Sequence, residues 1–160
     1  MIGIMSDSHD NCDAVKKAVR FFNDVKCELI IHAGDFVAPF AAKELERLEC
    51  PVKAVFGNCD GEKQGLKRVF ESLGSIQEEP RVFNWKDTEF LVTHTHFKLK
   101  EQRKIGDYDV IIYGHTHKPD IHQSKEALII NPGETGGWLT GKTTVALLSL
   151  KDLGAEIINL

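Results

Sequence analysis

The feature that most restricts this chain is a repeated event: a short apolar run ends abruptly in a polar cluster. Met1, Ile2, Ile4 and Met5 lead into Ser6-Asp7-Ser8-His9-Asp10, residues 27–32 lead into Ala33-Gly34-Asp35, and residues 52–56 lead into Gly57-Asn58-Cys59-Asp60-Gly61. Such runs are buried strands with polar exits. Between them lie helical patterns, first Ala14, Val15, Ala18, Val19 and Phe22 with Asp10 or Asn11 as the cap. A second helix starts at Pro39, carries Ala41, Leu45 and Leu48, and is closed by Pro51, and Leu66, Val69, Phe70 and Leu73 mark a third. Strands alternating with helices require crossover connections, so these strands lie parallel and their polar exits gather along one edge.

After the third helix the pattern changes. Residues 81–85 and 89–93 flank Lys86-Asp87-Thr88 as a hairpin, and the second strand runs into His94-Thr95-His96. Residues 97–104 suggest a short basic helix, and residues 110–113 form a buried strand that ends in Gly114-His115-Thr116-His117. Further strands cover 121–123, 127–130, 143–150 and 155–160. Two sheets with helices outside fit this order better than one parallel sheet.

At 160 residues and 42% apolar content, the chain suits one globular domain over residues 1–160. A net charge of −4 argues against extended nucleic acid as a partner. Cys12, Cys27, Cys50 and Cys59 lack CxxC spacing, and no leader or long apolar run is present, so the expectation is reduced thiols, a cytoplasmic location and no membrane contact.

The chemistry lies in the strand exits taken together. Asp7, His9, Asp35, Asn58, His94, His115 and His117 each follow an apolar run, and all are oxygen or imidazole donors suited to borderline divalent ions. Asp7 and His9 are two residues apart, so extended geometry carried into the loop would send both side chains to one side. None of the histidines is flanked by the cysteines of a structural zinc site.

The ordered set Asp7-Ser8-His9, Gly34-Asp35, Gly57-Asn58-Cys59-Asp60, His94-Thr95-His96 and Gly114-His115-Thr116-His117 resembles the calcineurin-like metallophosphoesterases, in particular their small single-domain prokaryotic phosphodiesterases. The resemblance covers residues 1 to about 135. It implies an α/β fold, a four-layer α/β/β/α sandwich of two mixed sheets flanked by helices. It also implies two divalent ions, manganese ranking first and nickel, iron, cobalt or zinc as alternatives. Asp7, His9 and His117 would hold one ion, Asn58, His94 and His115 the other, and Asp35 would bridge them. The implied activity is hydrolysis of a small phosphodiester by in-line attack of a metal-bridging hydroxide, with Asp35, Asn58 and His96 as catalytic residues. Asn58, Cys59, Asp60 and His96 would face the substrate. Two aspartates leave a net positive charge on a pair of divalent ions, which attracts an anionic ester.

Two positions depart from the family pattern. Cys59 stands where efficient phosphomonoesterases carry His, and a free thiol is a poor acid near neutral pH, which favours diesters with good leaving groups. Thr95 replaces the Gly of the HGH pattern, and Thr fits poorly if that Gly needs a positive φ. The alternatives are a non-catalytic scaffold of the same fold, a phosphomonoesterase or a nuclease. Outside the ligand set, His32 reads as a buried supporting residue and His122 as surface. The Gly133 to Gly141 stretch reads as a turn, and Trp138 and Leu139 as core packing, with a homo-oligomer contact as the other option.

Overall fold

The computed structural model describes residues 1–95 and 107–160. The first half alternates as expected: β1 (Ile2–Met5), α1 (Cys12–Asp24), β2 (Leu29–His32), α2 (Pro39–Ala42), β3 (Val52–Val55) and α3 (Lys63–Leu73). Asn11, not Asp10, caps α1, its side chain accepting the Ala14 N–H at 3.1 Å. The second helix departs from the sequence pattern: after Ala42 it tightens into a 3-10 turn over Lys43–Arg47. Such tightening is common in the last turn of a helix. A fourth strand, β4 (Gly74–Gln77), follows α3 directly and has no counterpart in the sequence reading.

The strands form two mixed sheets. In the first, in the order β11-β10-β1-β2-β3-β4, the four strands β1 to β4 run parallel, while β10 (Thr144–Leu148) and β11 (Ala155–Asn159) add antiparallel. The second has the order β5-β6-β7-β9-β8, built from β5 (Arg81–Trp85), β6 (Thr88–Val92), β7 (Val110–Ile112), β8 (Asp120–Ser124) and β9 (Ala127–Asn131). Here β6, β7 and β9 are parallel and the edge strands antiparallel.

Alternation along each strand divides the core into layers. Ile2 and Ile4 of β1 meet Phe90, Val92, Val110 and Ile112 between the sheets. Met5 and Ile30 face the other way, onto Val15, Val19, Phe22, Leu66 and Phe70 of the helices. Gly3 sits where Phe22 crosses β1, and a Cβ there would lie 2.6 Å from side-chain atoms of Phe22 and Ile30. Leu91, Ile111, Ala127 and Ile129 form a third buried cluster on the outer face of the second sheet. The described helices all connect strands of the first sheet, and the short basic helix expected over 97–104 lies outside the described residues.

Parallel β1, β2 and β3 and parallel β6 and β7 all end at the same rim of the sandwich. Backbone bonds lace their exit loops together: Asp7 N–H to Gly34 O at 3.0 Å, His9 N–H to Asp35 O at 3.1 Å, and Gly114 N–H to His94 O at 3.0 Å.

Candidate metal centre

The strand exits place carboxylates and imidazoles in one cluster. Asp7, His9 and His117 form one group, and Asp7, Asp35 and His94 another, with ligand atoms within 4.8 Å of one another in each. His117 Nε2 lies 3.4 Å from both Asp7 Oδ1 and His9 Nε2. Asp35 Oδ2 stands between the two sets, 3.6 Å from His9 Nε2 and 3.3 Å from His94 Nε2. Asn58 Oδ1 is 2.9 Å from His94 Nε2, and the His94 and His115 rings meet edge to face at 5.2 Å. A cavity of about 370 Å³ opens onto His9, Asp35, Asn58, Cys59, His115 and His117.

Asp7 and His9 do not reach the site through an extended loop. Asp7, His9, Asp35, His115 and His117 all have positive φ, between 39° and 69°. Left-handed backbone is uncommon for residues with a Cβ and concentrates where surrounding structure holds it for function. β1, β2 and β7 therefore turn sharply as they end, which aims successive donors into a narrow space. Gly57 permits the closest approach, since a Cβ there would collide with the Asp35 carboxylate.

The tautomers show what this space asks for. His94 Nδ1 lies 2.8 Å from the Ala33 carbonyl, which only accepts, so Nδ1 carries the proton. His94 Nε2 then turns its lone pair toward two more acceptors, Asn58 Oδ1 and Asp35 Oδ2. Such a pocket needs a cation: a second proton on His94 or a metal ion. Among the described residues, the ion-pair partners of Asp7 and Asp35 are imidazoles. The donor set fits divalent metals of the kind that accept mixed oxygen and imidazole ligands.

A family model described as the calcineurin-like phosphoesterase superfamily domain matches residues 1–153. The chain belongs to that superfamily. A phosphodiesterase of Methanocaldococcus jannaschii is 44% identical over 154 residues, covering 92% of this chain and 91% of the relative. The Escherichia coli phosphodiesterase YfcE is 30% identical over 142 residues, covering 80% and 75%. Among solved structures, an archaeal phosphodiesterase superposes with a TM-score of 0.92 at 39% identity, covering 99% of both chains. Vps29 of Chaetomium thermophilum, at 12% identity and a TM-score of 0.69 over 99% of this chain and 96% of its own, shares the fold. The α/β architecture of two mixed sheets flanked by helices is that of the superfamily, and with a 44% identical relative named a phosphodiesterase the chain is an enzyme that hydrolyses phosphoric esters.

In this phosphoesterase the charges are strongly perturbed. Burial raises the Asp7 carboxyl above its usual range, with the Ser6 hydroxyl and the nearby imidazoles of His94 and His117 opposing. Burial also acts to raise Asp35, but His94 and the Cys59 amide, 2.8 Å from Asp35 Oδ1, bring it far below. His94 rises above the ordinary imidazole value: burial opposes protonation, and contact with Asp35 outweighs it.

Supporting residues missed in the sequence surround the donors. Glu134, 1% exposed, places Oε1 3.1 Å from His117 Nδ1 and accepts the N–H groups of Leu139 and Thr140. Glu79 accepts the N–H groups of His94 and Thr95 and the hydroxyl of Thr93, bracing the loop that carries His94. Thr95 is not among the described residues with positive φ, so the departure from Gly brings no backbone strain. His32 is buried as expected, its Nδ1 accepting the Gly34 N–H and its Nε2 3.2 Å from the Ser8 hydroxyl. His122 lies on the surface beside Asp120.

Three readings need correction or fall outside the structure. Asp60 does not face substrate: it is 3% exposed, and its carboxylate accepts N–H groups from Asp35, Phe36, Val37 and Gly57 at 2.7 to 3.1 Å. Trp138 and Leu139 are not core, being 64% and 78% exposed along the cavity, because the loop that carries them is tied to Glu134 and His9 rather than packed inward. His96 lies outside the described residues. All four cysteines are free, and among the described residues no helix is long and apolar enough to cross a membrane.

Proposed function

We propose that this chain is a single-domain, two-metal phosphodiesterase acting on a small phosphodiester. Asp7, His9 and His117 are the residues to hold one divalent ion, and Asn58, His94 and His115 the other, with Asp35 shared. The observation that carries this reading is the Asp35 carboxylate, with one oxygen within 3.6 Å of imidazoles from both sets. When bound, such ions polarise phosphoryl oxygens and lower the pKa of water, which makes hydrolysis feasible without a protein nucleophile. Manganese is the first candidate, with nickel, iron, cobalt and zinc behind it.

The chain's own groups act by position. The Asn58 oxygen is a neutral donor, so the pair of sites keeps net positive charge for an anionic ester. The Ala33 carbonyl fixes the ring of His94 and sets the tautomer it presents, and the Glu134 carboxylate stands 3.1 Å from His117 Nδ1, where its charge favours a cation-bound imidazole. Cys59 is exposed at the mouth and offers only a weak acid, so esters with good leaving groups are favoured over monoesters of poor ones. His96, two residues beyond His94, is the candidate donor to the leaving group. Free cysteines fit a reducing cytoplasm.

The test strips the protein with chelator, restores one metal at a time, and compares a bis-aryl phosphodiester with its mono-aryl analogue. Metal-dependent turnover of the diester, abolished in Asp35→Asn, is the expected result. No turnover with any metal, despite two bound ions, refutes the reading.

A further inference from the structure

Beside the polar donors stands an apolar wall. Trp138 and Leu139 line the same 370 Å³ cavity as His9, Asp35, Asn58 and His117, yet keep 64% and 78% of their surface exposed. Two adjacent large apolar side chains left bare at the rim of a polar cavity form a contiguous patch of the kind that lines ligand-binding grooves.

The wall is fixed in place. The Trp138 indole N–H donates to the His9 carbonyl at 2.8 Å, and the Leu139 and Thr140 N–H groups donate to Glu134 at 2.9 and 2.8 Å. Just before it, the Gly136 N–H donates to the Asp7 carbonyl at 2.9 Å and the Gly136 carbonyl accepts from Asn11 at 2.7 Å. The loop thus hangs from the backbone of Asp7 and His9, and from the Glu134 carboxylate that stands beside His117. Its polar edge is satisfied while its ring face is open. That combination costs little entropy on binding and suits stacking of a flat ring.

We propose that Trp138 is a stacking platform that selects phosphodiesters whose non-leaving group is a planar aromatic ring. This rests on the phosphodiesterase reading and names its substrate class. With the phosphate at the Asp35 cluster, a cavity of this size has room for one ring beside it, and the wall is the apolar side of that cavity. The ring belongs either to a simple aryl ester or to a nucleobase, which share the flat π face that Trp138 meets.

The experiment uses three diesters with one leaving group: bis(p-nitrophenyl) phosphate, p-nitrophenyl thymidylate and ethyl p-nitrophenyl phosphate. In Trp138→Ala the kcat/KM ratio of an aromatic diester to the ethyl diester falls about tenfold, as loss of one stacked ring predicts. In Trp138→Phe, which keeps a ring but not the indole N–H, the ratio stays within about twofold of the parent, which separates stacking from loop anchoring. A fall for the thymidylate alone assigns the wall to nucleobases, and for the bis-aryl ester alone to simple aryl groups. An unchanged ratio for both in Trp138→Ala overturns the proposal. If the parent protein hydrolyses no diester, the phosphodiesterase reading fails, and fluorescence still decides on the platform. In zinc-loaded Trp85→Phe protein, where Trp138 is the remaining tryptophan, phenylphosphonate must change the emission at lower concentration than methylphosphonate. Equal responses overturn it.

Discussion

Asp60 offers the sharpest test of how the site is held. Its carboxylate, almost wholly buried, accepts the N–H groups of Phe36 and Gly57 at 2.7 Å, Val37 at 2.8 Å and Asp35 at 3.1 Å. It thereby pins the loop after β2 to the loop after β3, including Val37 at φ 76°, a strained backbone for a β-branched residue. A hydrogen bond to a charged group contributes roughly 1.5–3 kcal/mol. Four that share one carboxylate do not add fully, because the loops relax together. In Asp60→Asn one oxygen remains an acceptor and the amide NH₂ turns toward donors. The expected loss is about 2–4 kcal/mol, from about half the bonds and the charge. For a chain of this length that lowers Tm by roughly 5–15 °C. Urea denaturation of the metal-free protein measures the loss directly, and calorimetric titration with Mn²⁺ then shows weaker binding because Asp35 and Asn58 lose their frame. An unchanged urea midpoint with a raised KM would refute this reasoning and return Asp60 to the substrate.

Three further outcomes follow from the geometry. Glu134→Gln lowers Mn²⁺ affinity about 10- to 100-fold in competition with a chromophoric chelator, because the group that orients His117 loses its charge; equal affinity would deny it that role. His32, enclosed between Ser8, Gly34 and Phe36, is held down to about pKa 3 by burial first and the nearby His94 second. Below its ordinary value near 6.5 the unfolded chain takes up a proton that the folded one does not, so stability falls on acidification through that window. Between about pH 6.5 and 5 the slope of stability against pH loses nearly one proton in His32→Asn, and identical slopes would refute the assignment. Gly3→Ala forces a methyl against the buried ring of Phe22 and costs about 1–3 kcal/mol in urea unfolding; a neutral result would mean that α1 can lift from β1 without penalty.

The sequence carried the elements whose signals are local. β1, β2, β3, β6 and β7 are apolar runs with polar exits, and α1 and α3 keep their buried residues at helical spacing. β4 was silent because Gly-Ser-Ile-Gln has one buried side chain, and its extended form comes from pairing beside β3. The seven candidate donors could be picked out in the sequence because each follows closely on an apolar strand. Glu134 could not, since nothing local connects it to His117, seventeen residues earlier. Asp60 and Trp138 were misjudged for a related reason. The sequence says that a carboxylate or an indole is near the site, but only the tertiary hydrogen bonds say which way it faces.

Because β1 is flanked by β2 on one side and β10 on the other, the strand that leaves the ribosome early gains one of its two neighbours only when residues 144–148 have been made. A growing chain that has passed Asn58 but not reached His94 exposes Asp7, His9, Asp35 and Asn58 without the imidazoles at 94, 115 and 117, and the open edge beside β1 persists longer still, until β10 pairs with it. Such a half-set is a loose, oxygen-rich chelator with little power to choose among cations. Any choice among metals would therefore wait for the later half of the chain, where the imidazoles at the exits of the second sheet join the carboxylates of the first. An ion bound there would be drawn from the pool that the folded domain meets, not from the one surrounding its first half.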